Sequence, residues 1–263
     1  MKLLTLNCHS WQEQQQLEKI EHIADVIAKQ QYDVIALQEV SQSVDATIYV
    51  APLKKDNYGL LLLEALKRRN ITNYTLVWDW GHIGYDTYEE GVAILTRLPI
   101  IDQQDFFISK STDQSYWKTR KIIGVTVSYK GAPISFYSCH LGWWNDEEEP
   151  FAYQVDMLLT HAPDNHLAFF LGDFNNNASI TGEGYDYLQE RGLYDTYTLA
   201  EERDNGTTVQ GKIDGWDKDN GDMRIDLILA NKLISVHSSK VIFNGTNHEV
   251  VSDHFGIEVV LNL

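Results

Sequence analysis

The alternation of apolar and polar positions along the chain predicts a regular succession of strands and helices. Short apolar runs predict strands at residues 2–6, 33–37 and 167–171. Between the first two runs, residues 17–31 repeat apolar positions at helical spacing, which predicts an amphipathic helix. The residues on its apolar face are Leu17, Ile20, Ile23, Ala24, Ile27 and Ala28.

The same reading extends over the rest of the chain. It predicts further strands near 74–79, 91–96, 121–129, 133–139, 223–230, 236–243 and 254–261, and helices near 58–69, 151–161 and 185–191. Lys130-Gly131 predicts a tight hairpin between two of the strands. This mixture predicts an α/β (α+β) fold: a four-layer sandwich of two mixed β-sheets packed face to face, with helices on both outer sides. Because no linker or repeat divides residues 1–263, we expect a single domain.

Composition places the chain among ordinary globular proteins. It has 263 residues, of which 43% are hydrophobic and 22% charged, and no run of about 18 apolar residues that would predict a membrane span. The first predicted strand begins at Met1, so we expect no signal peptide and a cytoplasmic location. The two cysteines lie in predicted strands, and in a reducing compartment we expect both to be buried thiols. Cys139 and His140 are strand neighbours that point to opposite faces, which argues against a nucleophile and its base.

The charge balance restricts the choice of partners. Asp and Glu outnumber Lys and Arg by 38 to 21, which gives a formal net charge of −17. Such a chain repels polyanions at long range, so we expect neither nucleic acid nor an anionic membrane as a partner. No feature of the sequence points to an obligate protein partner.

Polar side chains follow several predicted strands directly. They are Asn7, Glu39, His140 and Asp173. Because ligands gather at the carboxyl ends of strands in open α/β sheets, we expect these four on one rim. Glu39 with Asn7 offers the oxygen ligands that suit Mg²⁺, although a carboxylate in this position can also cap a helix or a turn.

Two later segments add proton-transfer chemistry. Asp173 and Asn175 stand two residues apart after an apolar strand, where they could point into one cleft or form an Asx turn. Asp226 lies among apolar residues and needs a partner, which is either His254 or Arg224. A pairing with His254 would fix the tautomer of a side chain that titrates near neutral pH.

In order and context, one set of residues resembles the endonuclease/exonuclease/phosphatase superfamily, over roughly residues 2–260. The set is Asn7, Glu39, His140, Asp173, Asn175, Asp226, Asp253 and His254, together with the segments GDFN, RID, SDH and GVAIL. The resemblance implies a phosphoesterase with one or two Mg²⁺ ions, for which Mn²⁺ could substitute.

The resemblance also implies roles for these residues. Glu39 would be the main metal ligand, helped by Asn7 and Asp253. Asp173 and Asn175 would bind the scissile phosphate, a second metal or the attacking water, and His140 would stabilise the transition state or protonate the leaving oxygen. His254, oriented by Asp226, would act as a base or phosphate ligand, so that either Asp173 or His254 could activate water. His9 stands where many nuclease members carry an acidic residue, and it could be a ligand or a phosphate contact.

Four aromatic-rich stretches, at residues 78–82, 116–120, 141–144 and 214–217, flank the expected site and predict a small sugar phosphate as the substrate. Trp143, Trp144 and Trp216 lie next to polar residues and could pack on a sugar, although core packing explains part of the tryptophan content. Arg120, Lys118 or Lys121 could clamp the phosphate or remain solvated surface charges.

The chain is most similar to the maltose 6′-phosphate phosphatase branch, through the segments CHLGWW, EGYD and IDGW. This implies hydrolysis of maltose 6′-phosphate to maltose and phosphate. The alternatives are a phosphodiesterase of the same fold, either nuclease-like or sphingomyelinase-like, and a catalytically silent sensor of sugar phosphates. A nuclease would be expected to have a basic groove, and a sensor to have lost Glu39, Asp173 or His254.

Overall fold

The computed structural model describes residues 1–211, 213 and 221–263. The strands are β1 Lys2–Asn7, β2 Val34–Ser43, β3 Ile48–Val50, β4 Leu53–Lys54, β5 Thr75–Gly84, β6 Tyr88–Thr96, β7 Ile100–Phe107, β8 Lys121–Tyr129, β9 Ala132–His140, β10 Leu167–Asp173, β11 Tyr194–Asp195, β12 Ala200–Arg203, β13 Asp226–Ala230, β14 Val236–Ile242 and β15 Gly256–Leu261. The helices are α1 Gln16–Gln30, α2 Tyr58–Arg68, α3 Phe151–His161, α4 Gly184–Glu190 and α5 Thr196–Leu199.

Two large sheets contain most of these strands. The first sheet has the order β12-β14-β15-β1-β2-β6-β5, and the second has the order β11-β13-β10-β9-β8-β7. Both sheets are mixed: β1 runs parallel to β2 but antiparallel to β15, and β10 runs parallel to β9 but antiparallel to β13. The parallel pairs β1–β2 and β9–β10 lie in the middle of their sheets, and their carboxyl ends provide much of the site described below.

Strict alternation along the central strands sends side chains into three separate apolar layers. In β2, Val34 and Ala36 face the second sheet, whereas Ile35 and Leu37 face helices α1 and α2. The layer between the sheets also contains Phe136 and Phe169 of the second sheet. On the far side of that sheet, Tyr137, Cys139 and Phe170 pack against α3 and α4. These layers confirm the predicted four-layer α/β sandwich with helices on both outer sides.

The predicted elements agree closely with the observed ones where burial dominates the pattern. Residues 151–161 form the expected helix, and Lys130-Gly131 forms the expected tight turn with positive φ at both residues. The pattern missed β7, whose central residues Ile101 to Gln104 are mainly exposed and polar, and it ended β2 too early. It also missed the short elements β3, β4, β11, β12 and α5, which span only two to four residues each. Both cysteines are free and buried, which confirms the expectation for the thiols. None of the helices in the described ranges is long and apolar enough to cross a membrane.

Candidate active site

Three of the predicted site residues stand at the carboxyl ends of neighbouring strands. Asn7 is the last residue of β1, His140 the last of β9 and Asp173 the last of β10. Because β9 and β10 are parallel and in register, Asp173 lies directly beside His140. The expected common rim is therefore present, and it borders a cleft of about 340 Å³ between the two sheets.

Glu39 reaches this rim in a way that the sequence did not predict. It lies within β2, not after it, at a point where the pairing with β6 shifts register between Leu37 and Val40. Its φ of +51° is in the left-handed region, which is uncommon for a residue other than glycine. Such an irregularity re-aims a side chain, and here it allows the strand to continue while Glu39 lines the cleft.

Asn7 connects the carboxylates of the two sheets. Its Nδ2 donates to Oε1 of Glu39 at 2.8 Å and to Oδ2 of Asp173 at 3.1 Å, and its Oδ1 accepts from the backbone N–H of His9 at 3.1 Å. Asn7 and Asp173 are both buried. One amide thus holds two carboxylates from different sheets at the same point.

Burial and mutual repulsion perturb these carboxylates. Burial raises the pKa of Glu39 well above its usual range, and the negative charges of Glu90 and Asp253 raise it further. Burial also raises the pKa of Asp173 to about 7, against the opposing effect of His254. Ionising these carboxylates in the folded protein is therefore unfavourable without a cation, as expected for carboxylates that bind a metal.

The Asp226–His254 pair is formed as one of the two alternatives predicted. Nδ1 of His254 lies 2.9 Å from Oδ2 of Asp226, and both residues are buried. Arg224 instead pairs with Asp195 at 2.7 Å, which excludes the alternative partner for Asp226. Burial lowers the pKa of His254, but Asp226 and then Asp173 more than compensate, so that the pKa lies well above its ordinary value. Nε2 of His254 lies 3.8 Å from Oδ2 of Asp173.

His140 faces the same carboxylates from the opposite side. Its Nε2 lies 3.7 Å from Oδ2 of Asp173 and 4.0 Å from Oε1 of Glu39. Burial and the positive charge of Arg120 hold the pKa of His140 well below its ordinary value. The two histidines thus have opposite tendencies: His254 favours the charged form and His140 the neutral form.

The loop after β10 is built around Asp173. The backbone N–H of Asn175 donates to Oδ1 of Asp173 at 2.8 Å, so the Asx turn considered from the sequence is present. Nδ2 of Asn175 donates to the carbonyl of Leu141 at 2.9 Å, and the residue lines the cleft. Asp173 and Asn175 therefore form the Asx turn and also line the cleft, so both alternatives predicted for them are present.

Asp253 and His9 form a second group at the edge of the cleft. Nδ1 of His9 lies 2.8 Å from Oε1 of Glu13 and 3.5 Å from Oδ1 of Asp253. Glu39 thus contacts Asn7 and His140 directly, and Asn7 links it to Asp173. Asp253 acts on Glu39 only through its negative charge. Glu13 did not emerge from the sequence, although its spacing four residues after His9 suits a shared face.

The cleft extends past the rim to a second wall, which includes residues from two of the aromatic-rich stretches that the sequence places beside the site, 78–82 and 116–120. This wall includes His82 and Glu90 at its base and Tyr85 and Trp117 towards solvent. Nε2 of His82 lies 3.3 Å from Oε1 of Glu90. Burial raises the pKa of Glu90, but the contact with His82 outweighs burial and lowers the pKa to about 2. The aromatic stretches around residues 80 and 117 were the only sequence signal for this wall.

Arg120 is the basic residue that the structure places in the cleft. Lys118 is paired with Asp146 at 2.7 Å and with Glu148 at 2.6 Å, and Lys121 is paired with Asp79 and Asp105. Arg120 is only 5% exposed and lines the cleft together with His140. Of the three basic residues considered for a phosphate clamp, Arg120 alone lines the cleft.

The three predicted sugar-binding tryptophans differ in their positions. Trp143 lines the cleft, and its ring lies 6.1 Å from that of Trp117, at an interplanar angle of 58°. Trp144 is turned away from the cleft and packs against Phe151 and Tyr187, so the expectation for Trp144 is wrong: the adjacent indoles point in different directions and this one completes the layer under α3 and α4. Trp216 lies outside the described residues.

The donor set fits a divalent cation. Ligand atoms of Glu39, His140 and Asp173 lie within 4.8 Å of one another, beside the amide of Asn7. Carboxylate oxygens with one amide suit a hard ion such as Mg²⁺, while an imidazole among them is also acceptable to Mn²⁺. A cation here would offset the repulsion that raises the pKa of Glu39.

Buried carboxylates and two histidines at strand ends, in two packed sheets, define a class of hydrolases that cleave phosphoesters. The chain belongs to the Endonuclease/Exonuclease/phosphatase family, whose sequence model matches residues 5–254. A family member from Leptotrichia buccalis has a solved structure that is 42% identical, with a TM-score of 0.94 and complete coverage of both chains.

More distant structures share the fold. A mannosyl-6-phosphatase from Bacteroides thetaiotaomicron is 17% identical over 100% of both chains, with a TM-score of 0.70. A conserved protein of unknown function from Enterococcus faecalis is 20% identical, with a TM-score of 0.71 and 99% of each chain covered. The search of curated proteins returned no match to this chain.

Proposed function

We propose that this protein is a Mg²⁺-dependent phosphomonoesterase that hydrolyses a small sugar phosphate, with maltose 6′-phosphate, cleaved to maltose and phosphate, as the best candidate. The observation that carries the proposal is the convergence of Glu39, Asp173 and two histidines of opposite protonation tendency at one end of a walled cleft. Phosphoester cleavage needs both charge neutralisation and proton transfer, and this cluster offers groups for each.

In this proposal Glu39, Asn7 and Asp253 would hold the cation, and Asp173 and His140, whose ligand atoms lie within 4.8 Å of that of Glu39, would stand beside it. When bound, the cation would neutralise charge on the phosphoryl oxygens. Asn175 and His140 contact the phosphate, and neutral His140 donates a hydrogen bond to it. Asp226 fixes the ring of His254, whose Nε2 faces Asp173 and the cleft. Asp173 then accepts the proton of the attacking water, or His254 does so in its neutral form, against the tendency of Asp226 and Asp173 to keep that ring charged.

The sugar would lie against the second wall of the cleft. Trp117 and Tyr85 are about half exposed, with 51% and 52% of their surface open, although both line the cleft. Apolar ring faces beside an acceptor such as Glu90 suit a sugar, which presents C–H faces and hydroxyl groups.

The ion pairs between the loops keep this wall in place. Lys118 binds Asp146 and Glu148, Tyr116 donates to Glu148 at 2.9 Å, and Glu149 accepts from two backbone N–H groups of the facing loop. The loop that carries Trp117 is therefore attached to the loop that carries Trp143 before any ligand arrives. A preformed wall reduces the entropy that is lost on binding.

We further propose that the chain acts as a single domain without an obligate protein partner, and that neither nucleic acid nor a membrane is a partner, in keeping with its charge of −17. Because phosphorylated sugars are retained inside cells, a phosphatase that acts on them would work in the cytoplasm.

The test is phosphate release with Mg²⁺ across a panel of maltose 6′-phosphate, hexose 6-phosphates, nucleotides and inositol phosphates. We expect maltose 6′-phosphate to give the highest kcat/KM. A different ester hydrolysed well while maltose 6′-phosphate releases nothing would refute the substrate. Cleavage of diesters alone would favour the phosphodiesterase alternative, and tight binding of a sugar phosphate without turnover would favour the silent sensor.

A further inference from the structure

The guanidinium of Arg120 is buried without a carboxylate partner. Its Nη1 donates to the carbonyl of Trp117 at 2.9 Å and, less favourably, to that of Thr119 at 3.4 Å. Nε is buried and has no hydrogen-bond partner, and no salt bridge to Arg120 is present among the described residues. Leaving a charged group of this kind unpaired in a buried position is costly, so its retention calls for an anionic ligand.

Arg120 also lies next to the groups that act on the phosphate. It lines the cleft with His140 and Asp173, and it shares a smaller adjoining cavity with His82, Glu90 and His140. Its charge lowers the pKa of His140, and Glu39 and Asp173 in turn act on Arg120. Arg120 therefore lines the same cleft as Glu39, a predicted cation ligand, and its charge interacts with that of Glu39.

The backbone orients Arg120 from behind. Its backbone is fixed by two hydrogen bonds. The N–H of Arg120 donates to Oγ of Ser109 at 2.8 Å, and its carbonyl accepts from the N–H of Ile108 at 3.0 Å. With Nη1 held by the Trp117 carbonyl, the remaining edge of the planar guanidinium has a fixed direction. A fixed guanidinium edge matches two phosphate oxygens better than a flexible ammonium group does.

Resting on the function proposed above, we propose that Arg120 makes this site selective for phosphomonoesters by binding the phosphoryl oxygen that a diester lacks. A monoester dianion has three non-bridging oxygens, and a diester has two and carries one negative charge less. A cation held by Glu39 and its neighbours would attract one oxygen and His140 would contact a second, which leaves the third for Arg120. In a diester that position is an uncharged ester oxygen bearing a carbon substituent. This oxygen does not pair with the charge of the guanidinium, and its substituent excludes the water that would otherwise solvate the group.

A purely structural role for Arg120 would be to balance the charges of Glu90 and Glu39. Such a role depends on charge alone, and it gives no reason for the effect of a substitution to differ between monoesters and diesters. The two roles therefore make different predictions for the ratio of the two activities.

The experiment compares the Mg²⁺-loaded wild type with Arg120→Met and Arg120→Lys, using p-nitrophenyl phosphate and bis(p-nitrophenyl) phosphate. For Arg120→Met we expect kcat/KM for the monoester to fall about 100-fold, as when one preorganised donor is removed from a reaction centre. The ratio of monoester to diester kcat/KM should fall at least about tenfold, since the diester has no third non-bridging oxygen to pair with the guanidinium. Arg120→Lys should lie between, because it keeps the charge and loses the planar fork.

Lys121→Met is the matched control. It removes a neighbouring positive charge whose amine is bound by Asp79 and Asp105 outside the main cleft, so the ratio should change less than about twofold. Circular dichroism and thermal unfolding of each variant separate a loss of fold from a loss of selectivity.

Binding provides a readout that does not depend on turnover. Calorimetry with inorganic phosphate and with dimethyl phosphate, both with Mg²⁺, should show that Arg120→Met weakens phosphate binding at least about tenfold more than dimethyl phosphate binding. Equal losses for both ligands, or for both substrates, would overturn the inference. Absence of monoester turnover in the wild type would instead overturn the proposed function, while the binding comparison would still decide the role of Arg120.

Discussion

At the scale of single residues, the site is a set of buried charges that are incompatible with one another unless a cation is present. Asn7 holds Glu39 and Asp173 together, and burial with the charges of Glu90 and Asp253 raises the pKa of Glu39. A folded-state pKa above the unfolded value means that the ionised carboxylate lowers the stability of the metal-free fold at neutral pH. A bound cation would reduce this repulsion and so raise the free energy of unfolding.

Glu39→Gln tests this account. Without metal, the variant should unfold at a higher temperature than the wild type, because the amide removes the repulsion, and its phosphatase activity should fall at least about 100-fold. Mg²⁺ should raise the unfolding temperature of the wild type and have a smaller effect on the variant. Differential scanning fluorimetry with EDTA or Mg²⁺ measures both effects.

Glu258→Gln serves as the control for that comparison. Glu258 is a partly buried carboxylate on β15 that accepts from Tyr32 at 2.7 Å and does not line the cleft. Mg²⁺ should raise the unfolding temperature of Glu258→Gln by as much as it raises that of the wild type. The account of Glu39 fails if Glu39→Gln gains as much stability from Mg²⁺ as the wild type does.

At the scale of elements, the site depends on irregularities that direct side chains out of regular strands. The register shift in β2 turns Glu39 into the cleft, and Gly172 allows β10 to approach β9 closely just before Asp173. Gly172 has a φ of +150°, and a Cβ atom there would lie 1.9 Å from the carbonyl oxygen of Cys139. The position of Asp173 beside His140 thus requires glycine at the preceding position.

Gly172→Ala should therefore damage both fold and activity. We expect the free energy of unfolding to fall by about 2–4 kcal/mol, because the backbone is strained and β9 and β10 must separate. Activity should fall more than stability explains, since Asp173 moves with the strand. Denaturant unfolding and kcat/KM measure the two effects.

Gly131→Ala is the matched control for Gly172→Ala. Gly131 also has positive φ, at +84°, but nothing lies within 4 Å of a Cβ placed there. Its replacement should cost only about 1 kcal/mol and leave activity intact. Similar losses in the two variants would show that backbone strain alone, without the contact to Cys139, accounts for the effect.

At the scale of the whole molecule, two features act together. The sheets pack face to face with helices outside, so that strand ends from both sheets meet at one cleft. The formal net charge of −17 opposes long polyanions at long range. We therefore expect the site to act on small phosphate esters and not on nucleic acid.

The protein should not nick supercoiled plasmid with Mg²⁺, even at low ionic strength where nucleic-acid binding is strongest. Agarose electrophoresis after incubation at 20 and 150 mM salt measures this, with a deoxyribonuclease as the positive control. Nicking that is lost in Glu39→Gln would contradict the expectation, because it would assign the activity to this site and not to a contaminant.

The hydrophobic pattern and the motifs were enough to predict the class of the fold and most of the candidate site residues. Alternating and helical patterns depend on local geometry, so they predicted the long buried strands and helices and missed the short or exposed ones. Asn7, His140 and Asp173 were found because residues at the carboxyl ends of strands share an edge in any such fold. The apolar surroundings of Asp226 required a partner, but only the tertiary structure decided between His254 and Arg224.

The packing of the chain decided which residues of the aromatic-rich stretches form the second wall of the cleft and which other residues join them. Tyr85, His82 and Glu90 come from a hairpin, and Trp117 and Arg120 come from a loop more than twenty residues further along. No periodicity relates such positions, and adjacent residues diverge there: Trp143 lines the cleft while Trp144 packs under the helices. Contacts between distant segments depend on how the sheets and loops pack together, whereas the pattern along the chain reports only on the segment in which it occurs.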